Sequence, residues 1–480
     1  MARKLQPVVK WQGLAPDADP TTPGVLTLCT RVIPNERGII AAPWSASYLT
    51  GQVAGLPAAA VAARYVSPSG ASPILMAATE QRLFYRNGAW TEVTRAGGYP
   101  AASTLTCWTL ETFGNVVLAA NGIAAGNGVS TTRLQASAGG TAQFADVAGS
   151  PRASIVVACS RFVMLLNVND AAGGFGAGDA WWCSARDDHT NWTLAAGGST
   201  RGRLVDSAGC IGAAIEFNNS VYAFKLNSIY RGDFVPGSTE VWTWTKLPHD
   251  VGCQWPHAVT KDSSRIYFHD QGEVYAFDGV NIVPLMAGKI KRWLISEFPG
   301  WFDIDVRVQL AYDKFRNGLW VLTRFGCLFF HIPSGQWGMI DRGQLYEAIT
   351  AQIIGETTRY SSITAIRSPD HRAVSLGGGA DPGAPNATFT TGDIGDPREM
   401  IETIELRPVL VSSVGTVSAN ISARDLLEAP SDPTMGPFFM TPDGKIELSV
   451  NARWLRATIQ STGAFESIGY ATDLSAQGAP

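Results

Sequence analysis

Short runs of aromatic and β-branched residues, broken at close intervals by turn formers, fill the first 350 positions of the chain. Leu83-Phe84-Tyr85-Arg86-Asn87-Gly88 aligns on Val274-Tyr275-Ala276-Phe277-Asp278-Gly279. Asn-Gly or Asp-Gly between such runs is a strong hairpin signal, because the tight turn needs positive φ at positions these residues tolerate. Looser versions lie at 115–122, at 221–232 and at 319–337, and a further pair is formed by 154–166 with 179–183. Together they divide residues 55–345 into about six blocks, each about 45–50 residues long, the period of a four-stranded propeller blade. Two stacked sandwiches are the alternative for the same stretch.

One segment departs from this pattern. Ile290, Trp293, Leu294 and Phe298 recur at helical spacing and Pro299-Gly300 ends the run, so a helix is predicted over 287–298. Its other face carries Lys289, Lys291 and Arg292, read as a solvated basic face, with phosphate contact as the sharper alternative. Residues 367–397, rich in Gly, Pro and Asp, read as a loop or boundary. Beyond them the alternation is strict. Met400, Ile404, Leu406 and Leu410 are expected on one face, as are Val417, Ala419, Ile421 and Ala423, and then Ile446, Leu448, Val450, Ala452 and Trp454. Period 2 over such lengths predicts antiparallel strands with one wet face.

The expected fold is therefore all-β: a β-propeller of about six blades with a C-terminal antiparallel β module. Residues 1–54 form an N-terminal extended arm with the first strands, 55–350 the propeller, 351–398 a loop-rich connection, and 399–480 the C-terminal module.

Composition narrows the function. The chain has 480 residues, 37 Lys+Arg against 41 Asp+Glu and a net charge of −4, so it lacks the basic excess of a generic nucleic-acid binder. Charged residues make up 16%, against roughly 25% in a typical soluble chain, while hydrophobic residues reach 45%. Low charge with many aromatics suits a surface largely covered by other chains. No uncharged apolar stretch of about 18 residues exists, so no membrane-spanning segment is expected. Polar residues follow Met1-Ala2-Arg3-Lys4, where a secretion signal would need its apolar core. The 7 cysteines, at 29, 107, 159, 183, 210, 253 and 327, are odd in number and form no CxxC; small buried side chains in a reducing cytoplasm are expected.

Candidate chemistry is sparse. No dinucleotide, P-loop, zincin, nucleophile-elbow or EF-hand pattern is present. His189, His249, His257, His269, His331 and His371 never fall at ligand spacing with one another, and no metal, cofactor or catalytic residue is expected. Trp182 to Trp192 faintly resembles the Asp box of sialidase propellers but lacks the Gly and misplaces the Asp, so Asp187 and Asp188 are read as turn acceptors. Asp303 and Asp305 would share a strand face, where an acid–base pair is the sharp reading and a solvated strand end the plain one. Arg201 and Arg203 are read as a surface loop with phosphate contact as the alternative. Trp242 and Trp244 are read as packed between blades, with sugar stacking as the alternative.

The order of the blocks resembles the tail hub or nozzle (packaged-DNA stabilisation) proteins of short-tailed bacteriophages. The carriers are Lys225 to Arg231 after an apolar strand, Val274 to Gly279 followed by a short helix, Trp320-Val321-Leu322 with Pro333 to Trp337, and Thr391-Gly392-Asp393 opening a module that closes on Gly469 to Asp473. The similarity spans most of the chain at the level of pattern. It implies a structural virion protein and not an enzyme: a homohexamer below the portal and adaptor ring that retains packaged DNA, docks fibre or needle proteins and lets double-stranded DNA pass transiently and without sequence preference. Its place would be the virion tail, assembled in the host bacterial cytoplasm. A carbohydrate-binding receptor or adhesin propeller is the alternative, and a glycoside hydrolase-like propeller a third.

Overall fold

The computed structural model describes residues 4–5, 7–41, 47–49, 54–100, 106–123, 132–170, 175–238, 240–300, 308–323, 325–342, 346–351, 363–368, 370–376, 386–396, 398–413, 415–427 and 433–477. Nearly all regular structure in them is antiparallel β. Among the described residues seven sheets, or parts of sheets, hold four strands each; their first strands begin at Ala62, Thr106, Ala153, Ala213, Val259, Gln309 and Tyr346. These first strands pack side by side around one axis, the seventh returning to the first, which gives a β-propeller-like ring.

The blocks thus number seven where the sequence pattern gives about six. The seventh is inconspicuous because only three of its strands, Tyr346–Ala351, Ile363–Arg367 and Arg372–Leu376, are consecutive in the chain. Its fourth, Ser47–Tyr48, comes from the N-terminal segment and pairs with Val374 and Ser375. Ile363–Arg367 and Arg372–Leu376, inside the connection expected over 351–398, therefore belong to the ring, and Ala387–Thr391 belongs to the sandwich described next.

The C-terminal strands form a two-sheet sandwich. One sheet carries Met400–Ser413, Ile446–Ala452 and Phe465–Gln477; the other carries Ala387–Thr391, Val417–Arg424, Met435–Phe439 and Trp454–Ser461. Val417, Ala419, Ile421 and Ala423 face Ile446, Leu448, Val450 and Ala452 in one core, as their alternation requires. The strand Met400–Ser413 corrects the expected pattern. Ile401 and Thr403 point inward, a bulge follows Thr403, and only beyond it does an even position, Leu406, face the core. One extra residue in a ladder reverses the facing of everything after it.

Backbone pairing joins the sandwich to the ring. Val32–Pro34 pairs with the outer strand of blade six at Met339 and with Ile39–Ala41, which pairs in turn with Phe465–Gln477. A continuous eleven-stranded sheet therefore runs from the axis of the ring to the edge of the sandwich. Trp11, 2% exposed, seals the junction, its indole donating to Ser467 Oγ (2.9 Å) and its ring packing on Phe389 and Tyr470.

The helix covers Lys291–Glu297, with Leu294 buried. Its cap comes from far away in sequence: Asp17 accepts the backbone N–H groups of Arg292 (2.6 Å) and Trp293 (2.7 Å), placing a carboxylate where the helix leaves donors unpaired.

Candidate functional site

The first strands of the blades enclose an axial cavity of about 560 Å³ to which all seven contribute. Charged side chains on four of these inner strands furnish it. Glu111 sits in Thr106–Phe113, Glu216 in Ala213–Phe217, Arg64 in Ala62–Val66 and Lys261 in Val259–Lys261. Arg64 reaches into the neighbouring blade, donating to Leu110 O (2.6 Å) and to both Glu111 carboxylate oxygens (3.2 and 3.1 Å). Lys261 Nζ likewise crosses one blade to bond Glu216, at its carboxylate and at its carbonyl (2.6 Å). Each carboxylate has a cation of its own, so neither is an uncommitted acid facing an uncommitted base as glycoside hydrolysis needs. Tyr65, whose phenol burial pushes above its ordinary range, is bonded to Thr364 Oγ1 (3.0 Å). What the arrangement does is cross-link adjacent blades around the axis. Sequence reading missed these four residues; a charge inside an inner-strand pattern was the available signal.

A second, more open groove of about 620 Å³ lies on blade one beside Gly97 and Gly98. Its charges are also paired, Arg82 with Glu92 (3.1 Å) and Arg95 with Asp146 (2.6 Å).

The residues singled out in the sequence separate clearly. Asp188 is a turn acceptor, taking the Thr190 N–H (2.9 Å) and hydroxyl (2.6 Å), and these bonds hold its carboxyl below the ordinary range. Asp187 differs from the expectation: at φ 63° it pairs with Arg161 (2.5 Å) instead of capping local N–H groups. Arg201 and Arg203 form a strand, not a loop. Arg201 lies over Phe175 and Trp182 (4.3 and 4.7 Å), and Arg203 grips both oxygens of Asp179 (2.8 and 3.0 Å). Lys289 donates to Gly335 O (2.5 Å) and Lys291 faces Glu273 (3.6 Å), so much of the helix's basic face turns inward. Asp303 and Asp305 lie outside the described residues. Among the described residues no group of three or more His, Cys, Asp or Glu side chains is placed to hold a metal ion.

Trp242, 4% exposed, packs on Phe162 of blade three and Phe234 of its own blade, and Trp244 packs on Trp181. Neither is an open platform for a sugar ring. Trp242→Ala will lower unfolding stability by about 3–5 kcal/mol, measured by urea denaturation, and will leave any glycan-array signal unchanged.

Lys225, in the 225–231 run, is fully buried, its ammonium donating to the carbonyls of Leu204 (2.8 Å) and Ser207. It pins the connector that enters blade four, and burial lowers its basicity. Thiol chemistry is suppressed too. Burial raises Cys159 and Cys183 to about 11 and Cys253 to about 12. Near pH 8 native-state alkylation of these three will be roughly a hundredfold slower than in denaturant, as read by mass spectrometry of labelled peptides.

No family model matches the chain, and no curated protein does. Among solved structures, an extracellular domain assigned to a hybrid two-component system of B. thetaiotaomicron is 10% identical with a TM-score of 0.45. The match covers 75% of this chain and 45% of that one, so the chain spans less than half of its length. A chain of the mitotic checkpoint complex is 8% identical with a TM-score of 0.41, covering 70% of this chain and 93% of that one. Kluyveromyces lactis Hsv2 is 8% identical with a TM-score of 0.36, covering 69% and 93%. Among the described residues no helix is long and apolar enough to cross a membrane.

Proposed function

We propose that this chain is a structural tail protein of a short-tailed bacteriophage, a hub or nozzle subunit built as a seven-bladed β-propeller with a fused β-sandwich, and not an enzyme. The observation that carries this reading is the eleven-stranded sheet that joins ring and sandwich into one piece. A part that transmits load between neighbours needs such a strut, whereas a catalytic domain needs converging uncommitted groups. The paired charges of the axial cavity support the same reading. So do the block order and the runs at 225–231, 274–279, 333–337 and 391–393 that resemble the tail family.

In this role copies assemble as a homohexameric ring below the portal and adaptor, dock fibre or needle proteins, retain the packaged genome and conduct double-stranded DNA at ejection. The net charge of −4 per copy disfavours tight DNA binding and favours sliding. Such a protein would assemble in the bacterial cytoplasm and end in the virion. The decisive experiment combines mass spectrometry of purified particles with negative-stain imaging of the isolated protein and of tails. The chain is expected in the particle, in a ring at the tail axis. Its absence from particles, or a monomer in every condition including particle assembly, would refute the proposal.

A further inference from the structure

Two buried carboxyls join three chain segments at the tip of blade five. The hairpin between Ile266–Asp270 and Glu273–Phe277 turns through Gln271 and Gly272, both at positive φ (43° and 79°), which sets Asp270 opposite Glu273. Asp270 is 6% exposed and Glu273 1%. Asp270 Oδ2 accepts the Gly252 N–H (3.0 Å), from the connector that enters blade five. Glu273 Oε1 accepts the Met286 N–H (2.6 Å), from the connector that leaves it, and Oε2 lies 3.6 Å from Lys291 Nζ. The carbonyl of Met286 in turn accepts the N–H groups of Lys289, Ile290 and Lys291, which starts the helix. The N-terminal strap is fastened to that start through Asp17, which caps the helix and donates its own N–H to Lys289 O (2.9 Å).

We propose that this joint is a proton-operated latch on the N-terminal strap: proton uptake by Asp270 and Glu273 tightens it, and proton loss loosens the helix and residues 9–17. Among the described residues Lys291 is the ammonium set against the two carboxyls. His269, Cys253 and Tyr275 beside them are uncharged at neutral pH, and the Asp17 carboxylate is taken up by the helix N–H groups. Burial holds the His269 imidazole down to about 3, pushes the Cys253 thiol up to about 12, and raises the Tyr275 phenol. The second ionisation therefore leaves a net negative charge in a dry joint, which one lysine cannot offset. Burial is also the largest influence on the carboxyls, raising Asp270 to about 6 against the pull of the Gly252 N–H and Lys291, and raising Glu273 in the same direction.

The sign follows from linkage. Asp270 binds its proton more tightly folded than unfolded, where a carboxyl titrates near about 3.9. The stability present below that pH is lost as pH rises towards 6, and the loss persists above. The latch does not depend on the tail assignment; it concerns the isolated chain of 480 residues.

The test is hydrogen exchange of the whole 480-residue chain at about pH 5 and about pH 7.5, corrected for intrinsic rates. Protection of residues 9–17 and 286–297 is expected to fall at least about tenfold on raising the pH, the effect of one unit of pKa difference. The double variant Asp270→Asn with Glu273→Gln is expected to show equal protection at both. If that variant does not fold, Asp270→Asn alone keeps an acceptor for Gly252 and is expected to lose most of the change. Unchanged protection in the wild type, or a full pH response in the folded variant, would overturn the proposal.

Discussion

Deletion of residues 1–49 will abolish cooperative folding of the ring and sandwich together. The deletion removes Ser47–Tyr48, the outer strand of blade seven, and Val32–Pro34 with Ile39–Ala41, the two strands that bridge blade six to the sandwich. It also removes Leu26–Thr30, an outer strand of the second sandwich sheet, and the Asp17 cap of the helix. Every one of these is a long-range pairing, so what remains is open edges and exposed core rather than a smaller intact domain. The measurement is thermal or urea unfolding followed by tryptophan fluorescence. A single sharp transition near the wild-type midpoint would show that the segment is dispensable. Supplying residues 1–49 as a separate peptide should restore part of the transition, because the missing strands can pair in trans.

The next largest effect is expected at Asp393. Its carboxylate is fully buried and receives two guanidinium groups, Arg456 through Nε and Nη2 (2.8 and 3.0 Å) and Arg424 through Nη2. The adjacent Thr391 hydroxyl accepts the Ala457 N–H (3.0 Å), and Asp393 N–H donates to Pro20 O (2.7 Å), so the same turn fastens the N-terminal segment to the sandwich. Asp393→Ala leaves two arginines facing each other with no anion. Removing one member of a buried ionic group costs about 3–5 kcal/mol, and the urea midpoint should fall accordingly. Replacing Arg424 and Arg456 by Met together with the Asp393→Ala change should recover much of the loss, since the penalty lies in the uncompensated charge. A triple variant no more stable than Asp393→Ala alone would contradict that account.

Several elements were legible from local pattern. The alignment of 83–88 on 274–279 pairs equivalent places: both are the third strand of a blade running into the turn before the fourth. At the second of these Asp278 accepts the N–H groups of Val280 (2.9 Å) and Asn281 (2.7 Å), while Gly279 takes φ 100°, a conformation in which a side chain is costly. The alternation at 417–423 and 446–452 gave the sandwich faces because period 2 admits one inward set. Trp242 packs against the neighbouring blade, as expected of a large aromatic side chain in a propeller.

The site residues were hidden for the opposite reason. Glu111 and Glu216 look like ordinary strand charges until the ring brings Arg64 and Lys261 alongside them, 47 and 45 positions away. Lys291 reads as one charge on a basic helix face, yet it turns towards Glu273 because the turn at Met286 sets the helix against blade five. The bulge after Thr403 carries no turn residue that would announce it.

By itself, the sequence determined strand-rich blocks, their hairpins, one short helix and an alternating C-terminal module, since each depends on side chains within a few positions of one another. The number of blades, the closure of the ring and the union of ring and sandwich were decided only in three dimensions. Those features rest on a two-residue strand, on backbone pairing between the two ends of the chain and on ion pairs between neighbouring blades. Backbone hydrogen bonds pair any extended segments of suitable register, so side-chain pattern names a strand without naming its partner.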